Sequence, residues 1–138
     1  MPFLNVKISG EPSQEIADKV TAFLTKYTVE ILGKKAEVIS VAIEFILANH
    51  WAIGGIGLSM QGMTSFYLDI KITDGTNTKH EKAAYIQKIF SEFESVLGKL
   101  NHASYIVIDD VRADAWGFAG ATQEFRHIQV RNPPPVSG

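Results

Sequence analysis

The chain begins with MPFLNVKI, residues 1–8, and this stretch carries both the first predicted strand and an unusual reactive group. Polar and apolar residues partly alternate from Phe3 to Ile8, and a glycine follows soon after, which predicts a short strand. Removal of Met1 would leave a secondary amine on Pro2 at the start of that strand. Because no carbonyl group withdraws its lone pair, a terminal prolyl nitrogen can act as a base or a nucleophile.

The residues after this strand predict a helix and then a second strand. Ser13 is a candidate N-cap, apolar residues recur at about four-residue spacing as far as Ile31, and Gly33 marks the end of the helix. Residues 38–45 are mostly apolar and rich in β-branched side chains, which favours a buried strand. The first part of the chain is therefore predicted to be a β-α-β unit.

The second half of the chain repeats the same order of elements. A Thr-x-x-Glu capping box at residues 78–81 precedes a second apolar helical stripe. The matching segments are VKI at 6–8 with IKI at 70–72, LGK at 32–34 with LGK at 97–99, VAI at 41–43 with IVI at 106–108, and Trp51 with Trp116. The change of spacing after the first pair indicates one inserted residue near Asp74.

We predict an α+β fold in which two β-α-β units, about residues 2–62 and 65–125, form a single domain over residues 1–130. A right-handed crossover makes the two strands of each unit parallel and places both helices on one face of a four-stranded sheet. The other face is expected to be bare and rich in Val, Ile, Leu and Phe, so a closed homo-oligomer would bury it. Residues 131–138 form a Pro-rich tail that is expected to be extended.

Composition and charge exclude several classes of protein. The 138 residues carry a formal net charge of −2, which provides no basic field for nucleic acid. The lack of cysteine excludes disulfide scaffolds and thiolate zinc sites, and the four histidines show no metal-ligand spacing. No apolar run approaches the ~18 residues of a membrane span, and the first residues lack a signal-peptide pattern. We therefore expect a cytoplasmic protein with no metal, nucleic-acid or membrane partner.

These segments resemble the tautomerase superfamily. The resemblance rests on Pro2 at a strand start and on two aromatic-glycine turns, WAIGG at residues 51–55 and WGFAG at residues 116–120. It extends to about Phe125 and is to the fused two-unit members, which include the macrophage migration inhibitory factor and malonate semialdehyde decarboxylase groups. The single-unit members, such as 4-oxalocrotonate tautomerase, are similar to each half. The resemblance implies a homotrimer.

The resemblance also implies roles for particular residues. Pro2 matches the catalytic base of the family, and its counterpart in the second unit is about Phe66, so each chain holds one reactive proline. Lys34 and Tyr105 match the active-site lysine and tyrosine of the migration inhibitory factor group. Trp51 matches the aromatic residue near the turn of 4-oxalocrotonate tautomerase.

The chain departs from the family pattern at several positions. The two substrate-binding arginines of 4-oxalocrotonate tautomerase fall near Pro12 and Ser40, and the asparagine of the migration inhibitory factor group falls on Val107. Residues 73–77 lack the arginine pair of the decarboxylase group. These departures point away from a dicarboxylate substrate and from decarboxylation.

Keto–enol tautomerisation needs a base whose pKa lies near the working pH and a donor or cation beside the substrate oxygen. The Pro2 amine is a candidate base, and an apolar surround that includes Trp51 and Phe118 would disfavour its protonated form. Lys34 is the candidate carboxylate anchor, and Tyr105 is the candidate donor to the enolate oxygen. The expected activity is that of a cofactor-independent isomerase that acts on a small α-keto acid or its enol.

Other interpretations stay open. Lys34 follows a helix-ending glycine, where a lysine also interacts favourably with the helix dipole, and Trp51 and Tyr105 could pack in a core or an interface. Arg112, in the turn after the last predicted strand, could bind a carboxylate or be solvated. The same fold would suit a hydratase, dehalogenase or decarboxylase of a small unsaturated or β-keto acid, or a non-catalytic oligomeric interaction protein. Catalysis by Pro2 requires removal of Met1, because otherwise the Pro2 nitrogen is an amide.

Overall fold

The computed structural model describes residues 1–131 of the chain. Residues 132–138 lie outside the described part, and with them almost all of the predicted tail at residues 131–138; Arg131 is the last residue of the final helix. Within the described residues, no helix combines the length and the apolar character that a membrane crossing needs.

The chain contains the same series of elements twice. The first series is β1 (Phe3–Ser9), α1 (Gln14–Glu30), a 3₁₀ turn (Ala36–Val38), β2 (Ser40–Ile46), a 3₁₀ turn (Ala48–His50), β3 (Ala52–Ile53), β4 (Ile56–Gly57) and α2 (Leu58–Gln61). The second series is β5 (Phe66–Thr73), α3 (Lys79–Leu97), β6 (Tyr105–Val111), a 3₁₀ turn (Ala113–Ala115), β7 (Gly117–Phe118), β8 (Ala121–Thr122) and α4 (Gln123–Arg131). Each β-α-β unit is therefore followed by a short hairpin and a helix.

Four strands form one mixed sheet in the order β2-β1-β5-β6. β1 pairs in parallel with β2, and β5 pairs in parallel with β6. At the centre of the sheet β1 and β5 run antiparallel, with Phe3 opposite Lys71 and Ile8 opposite Phe66. The predicted α+β fold of two β-α-β units is confirmed.

Local signals in the sequence set the two long helices. The Ser13 hydroxyl accepts from the Ile16 N–H at the start of α1, and Gly33, at φ 70°, ends the turn after that helix. At the start of α3, Thr78 and Glu81 form the complete capping box that the sequence predicts. The connection from β5 to α3 occupies residues 74–78, one residue more than the connection from β1 to α1 at residues 10–13.

The core lies between the sheet and the helix pair α1 and α3. Phe66 of β5 stacks on Phe93 of α3 with 3.8 Å between ring centroids, and Phe23 of α1 meets Phe93 edge-on at 5.0 Å. The other fully buried side chains of the core are Leu4, Val6, Ile8, Val20, Leu24, Leu68, Ile70, Ile72, Tyr85 and Ile89. Both units therefore contribute to one continuous core.

A buried hydrogen bond joins the two long helices. The hydroxyl groups of Thr28 on α1 and Tyr85 on α3 lie 2.9 Å apart, and both residues are fully buried. Burial raises the pKa of Tyr85 to about 12, against the smaller opposing effect of the Thr28 hydrogen bond. The phenol therefore stays neutral, and each hydroxyl satisfies the other where water is excluded.

The face of the sheet opposite the helices is more polar than predicted. Lys71 on this face pairs with Asp109 at 2.8 Å and with Asp69 at 3.7 Å. The apolar residues of β2 that pack towards the core instead are Val41, Ile43 and Phe45. Exposed large hydrophobic side chains on the bare face are Phe3, Tyr105 and Val107. The predicted apolar surface is therefore corrected to a mixed one, because the two-residue period of the strands assigns most aliphatic residues to the core.

Phe93 connects α1, β5 and α3, so its loss should weaken the whole core. We expect Phe93→Ala to lower the free energy of unfolding by about 3–5 kcal/mol, from lost burial and the cavity that remains. Urea denaturation at one fixed protein concentration measures the change. The control is Ile86→Ala on the same helix, where the side chain is 40% exposed and the expected loss is below about 1 kcal/mol. Equal losses in the two variants would contradict this account of the core.

Candidate active site

Pro2 is buried at the start of β1, beside the first residue of β2. The Ser40 N–H donates to the Pro2 carbonyl oxygen over 3.2 Å, which fixes the backbone here. Since β5 runs antiparallel to β1, the last residues of β5 and the loop after it lie at the same end of the sheet as Pro2. Groups from both units therefore surround the N-terminus.

Trp116 of the second unit reaches across to the start of the first. Its indole N–H donates to the Met1 carbonyl oxygen over 2.8 Å. That carbonyl group is covalently attached to the Pro2 nitrogen, so the indole N–H faces the space directly beside this nitrogen. The Gln123 N–H donates to the Trp116 carbonyl oxygen over 2.8 Å and ties α4 to the same segment.

A cavity of about 460 Å³ opens beside the N-terminus. Its size is within the usual range of small-molecule sites and is sufficient for a small organic acid. It is lined by Met1, Lys34, the loop at residues 73–76, Ala113, Gln123 and Glu124. The first unit supplies the N-terminus and the lysine, and the second unit supplies the other walls.

Of the predicted substrate-binding residues, Lys34 is the one that lines this cavity. Its Nζ donates to the Thr76 hydroxyl over 2.8 Å. Burial is the main cause that lowers the pKa of Lys34, whereas the carboxylates of Glu81 and Asp110 act in the opposite direction. A partly buried ammonium group beside a cavity is suited to binding an anion.

Arg126 of α4 is a second cation near the N-terminus, where its charge acts on the Met1 amine, and no sequence motif pointed to it. Its guanidinium carbon lies 4.2 Å from the centroid of the Phe118 ring. Within the described part of the chain, its buried Nη1 has no hydrogen-bond partner, and neither has the buried Nε2 of Gln123. The available signal was the repeat itself, because Arg126 stands where the first unit has Gln61.

The N-terminal amine responds to these surroundings. Burial is the largest cause that lowers the pKa of the Met1 amine, followed by the positive charges of Lys34 and then Arg126. All three causes disfavour the protonated amine. An amine at this position is therefore neutral, and able to accept a proton, at a lower pH than an ordinary chain terminus.

Trp51 and Tyr105 lie at the opposite end of the sheet in the same chain. They line a separate cavity of about 680 Å³ together with Lys7 and Tyr67. Lys7 is five residues along β1 from Pro2, or about 16 Å at the usual strand rise of about 3.3 Å per residue. A single chain therefore does not bring Trp51 or Tyr105 to Pro2. The aromatic residues near the N-terminus are instead Phe118, which was predicted, and Trp116, the repeat counterpart of Trp51.

Arg112 lies outside the cavity that contains Met1. Its side chain is 79% exposed and makes two hydrogen bonds to the Asp114 carboxylate, at 3.1 and 3.2 Å. This pairing raises the pKa of Arg112. The residue borders an adjoining depression that shares Asp74 and Glu124 with the site cavity.

The arrangement can support proton transfer without a metal ligand set from this chain. Among residues 1–131, no group of three or more His, Cys, Asp or Glu side chains is placed to hold a metal ion. The cavity is lined by the cation Lys34 and by the carboxylates of Asp74 and Glu124. Close to it lie a terminal amine of lowered pKa, the cation Arg126, and the Trp116 indole N–H that donates to Met1. A base next to donors and positive charge is the arrangement that stabilises an enolate.

Comparison with known proteins gives a family match for the first unit and a shared fold for the whole domain. Residues 2–60 match the family model described as tautomerase enzyme. No curated protein matches the chain. The wild-type F6 fused 4-OT, an asymmetric trimer, is similar with a TM-score of 0.77 at 21% identity, over 90% of this chain and 98% of that one.

Two further solved structures share the fold. A macrophage migration inhibitory factor-like protein from Entamoeba histolytica has a TM-score of 0.72 at 18% identity, over 88% of this chain and 97% of that one. Pt0534 inactivated by 2-oxo-3-pentynoate has a TM-score of 0.79 at 13% identity, over 90% of this chain and 98% of that one. The structural likeness establishes the fold, and the family match supports an activity of the tautomerase type.

The effect of Lys34 and Arg126 on the pKa of the terminal amine should be measurable by titration. We expect its pKa to lie below the ordinary value of 8.0, and Lys34→Gln to raise it, because removal of a positive charge favours the protonated form. The neutral, reactive amine would then appear only at higher pH in the variant. The rate of amine acylation as a function of pH, with mass spectrometry to locate the product, measures both values. Lys35→Gln, at the exposed neighbouring lysine, is the control, and an equal shift in both variants would contradict the assignment.

Proposed function

We propose that the chain is a cofactor-independent isomerase of the tautomerase superfamily, which transfers a proton between the keto and enol forms of a small α-keto acid. The family match over residues 2–60 and the fold shared with fused 4-OT support this proposal. The general base is the Pro2 amine. The observation that carries this proposal is the position of the N-terminus, in a cavity lined by Lys34. Burial and the charges of Lys34 and Arg126 lower the pKa of the Met1 amine there, and an amine on Pro2 would lie beside the same groups.

The proposed reaction moves one proton and no other atom. In the keto-to-enol direction, the neutral Pro2 amine removes a proton from the carbon next to the substrate carbonyl. The electron pair of that C–H bond forms the C=C bond, and the carbonyl oxygen becomes an enolate oxygen that takes up a proton. Positive charge and N–H donors beside this oxygen stabilise the intermediate, and the reverse sequence converts enol to ketone.

Removal of Met1 is a condition of this function. With Met1 attached, the Pro2 nitrogen belongs to an amide and is not basic, and Met1 itself lines the cavity. Removal of Met1 would create the secondary amine and enlarge the space beside it. It would also release the Trp116 indole N–H, which now donates to the Met1 carbonyl oxygen.

A homotrimer forms part of the proposal. The fused 4-OT structure that resembles this chain is described as a trimer. On the bare face of the sheet here, the Tyr105 side chain is 60% exposed and Val107 is also exposed. A neighbouring copy would cover this face and could carry its Tyr105 and Trp51 to the Pro2 cavity, which one chain cannot do by itself.

The role of Pro2 predicts a large loss of activity in Pro2→Ala. We expect the rate of ketonisation of enol-phenylpyruvate to fall by about 10²- to 10⁴-fold, the usual contribution of a positioned general base. Absorbance of the enol gives the rate, and intact mass shows whether Met1 has been removed in each preparation. Pro12→Ala, in the loop before α1, is the matched control and should keep its activity. Unchanged activity in Pro2→Ala would refute the proposal.

The proposed role of Tyr105 predicts complementation between subunits. Tyr105→Phe and Pro2→Ala should each be nearly inactive, because one lacks the oxygen donor and the other lacks the base. Trimers that contain both variants would hold some intact sites, made from Pro2 of one copy and Tyr105 of another. Co-expression with two affinity tags yields such mixed trimers, and their enol–keto conversion should exceed that of either parent.

The control for this experiment is a mixture of Pro2→Ala with Lys34→Ala. Lys34 lies in the same cavity as the N-terminus of its own chain, so no intact site can form in those mixed trimers. Recovery is therefore expected only in the mixture with Tyr105→Phe. Failure of that mixture to recover, or a monomer in light scattering, would refute the contribution of a neighbouring Tyr105.

A further inference from the structure

We propose that Gln123 and Arg126, one turn apart on α4, form the anion-binding pair that holds the substrate carboxylate beside the N-terminus. This inference rests on the proposed function, because it takes an α-keto acid as the substrate. It assigns the main carboxylate contact to an element of the second unit, where the sequence pattern indicated no arginine.

Comparison of the two repeats shows that this pair of residues is specific to the second unit. The counterpart of Gln123 is Leu58, which is fully buried in the first unit. The counterpart of Arg126 is Gln61, whose Nε2 donates to the carbonyl oxygens of Ile53 at 3.1 Å and Ile56 at 2.8 Å. In the first unit, both positions of the helix are therefore occupied by structural contacts.

In the second unit, the same two positions carry unused donors. Gln123 Nε2 and Arg126 Nη1 are both buried, and neither donates to any group in the described part of the chain. A buried donor without an acceptor destabilises the fold, so each such donor calls for an acceptor from water, an ion or a ligand. Two of them on one helix, with Gln123 in the wall of the cavity, indicate a bound acceptor such as a carboxylate.

Phe118 lies against the guanidinium group of Arg126. The guanidinium carbon lies 4.2 Å from the centre of the Phe118 ring, a distance at which a cation is attracted to an aromatic ring. This contact uses none of the guanidinium N–H donors, which form a fork that fits the two oxygens of a carboxylate. The Phe118 contact therefore leaves the Arg126 donors available for an anion.

Lys34 is less available for the carboxylate than Arg126. Its Nζ already donates to Thr76, and the carboxylates of Glu81 and Asp110 act on it. Arg126 is close enough to the N-terminus to influence the Met1 amine. A substrate carboxylate held by Arg126 would thus place the adjacent keto group and its reacting carbon near the Pro2 nitrogen.

Two alkylating reagents separate anion binding from other effects of Arg126. 3-Bromopyruvate carries a carboxylate and bromoacetone does not, yet both present the same reactive carbon. In each case the neutral Pro2 nitrogen forms a C–N bond, bromide leaves with the electrons of the C–Br bond, and the amine proton goes to the buffer. The experiment uses protein from which Met1 has been removed, at a pH above the amine pKa.

The ratio of the two alkylation rates is the result to compare. Arg126→Gln should slow alkylation by 3-bromopyruvate by about 10- to 100-fold, the range for loss of a hydrogen bond to a charged group at about 1.4 kcal/mol per tenfold. Its rate with bromoacetone should stay within about threefold. Arg126→Lys should recover part of the loss, because it keeps the charge without the planar fork. Gln123→Leu should lose less than Arg126→Gln.

Arg112→Gln is the matched control, since it removes an exposed arginine that is paired with Asp114. It should leave both alkylation rates unchanged. Equal slowing of the two reagents in Arg126→Gln, or equal effects of Arg126→Gln and Arg112→Gln, would overturn the proposal.

The experiment distinguishes failure of the proposed function from failure of the proposed anion site. If neither reagent alkylates Pro2 in the unsubstituted protein, Pro2 is not the reactive base, and calorimetric binding of phenylpyruvate becomes the test of the anion site. Weaker binding in Arg126→Gln than in Arg112→Gln would support the site. Equal binding in the two variants would reject it.

Discussion

The antiparallel pairing of β1 with β5 is the constraint on which the rest of this structure depends. The two β-α-β units therefore run in opposite directions, so that the start of β1 lies at the same end of the sheet as the end of β5, and the reverse holds at the other end. The hairpin and helix that follow β6 consequently cover the N-terminus, and Trp116 bonds to Met1 across almost the whole length of the chain. The cavity beside Pro2 exists because of this pairing, and neither unit could form it alone.

The same pairing gives the sheet two topologically corresponding ends that carry different side chains. At one end, the N-terminus meets Trp116 and the donors of α4. At the other, Phe66 stands in the position of Pro2, and Gln61 is bonded to the hairpin that precedes it. Only a chain terminus can offer a basic backbone nitrogen, so the two ends could not keep the same chemistry after fusion.

Features that depend on neighbouring residues could be predicted from the sequence, and features that depend on contact between the units could not. The Ser13 cap, the Thr78–Glu81 capping box and the repeated segments act over a few residues, and they led to the correct fold. Arg126 was missed because its partners, Phe118 and the N-terminus, are reached through the hairpin and the sheet. The apolar content of the strands does not give the composition of the bare face, because alternate side chains point to opposite faces and Val41, Ile43 and Phe45 pack towards the core.

The positive charges near Pro2 have two effects that work at different stages of the proposed reaction. In the free protein, burial and then the charges of Lys34 and Arg126 lower the pKa of the Met1 amine, and so favour the unprotonated form. The same effect makes the amine a weaker base, which by itself would slow removal of a proton from carbon. A carboxylate bound to Arg126 would cancel part of that positive charge and raise the basicity of the amine at the moment when substrate is present. Placing the anion site on the cation that depresses the amine thus links binding of the substrate to the strength of the base.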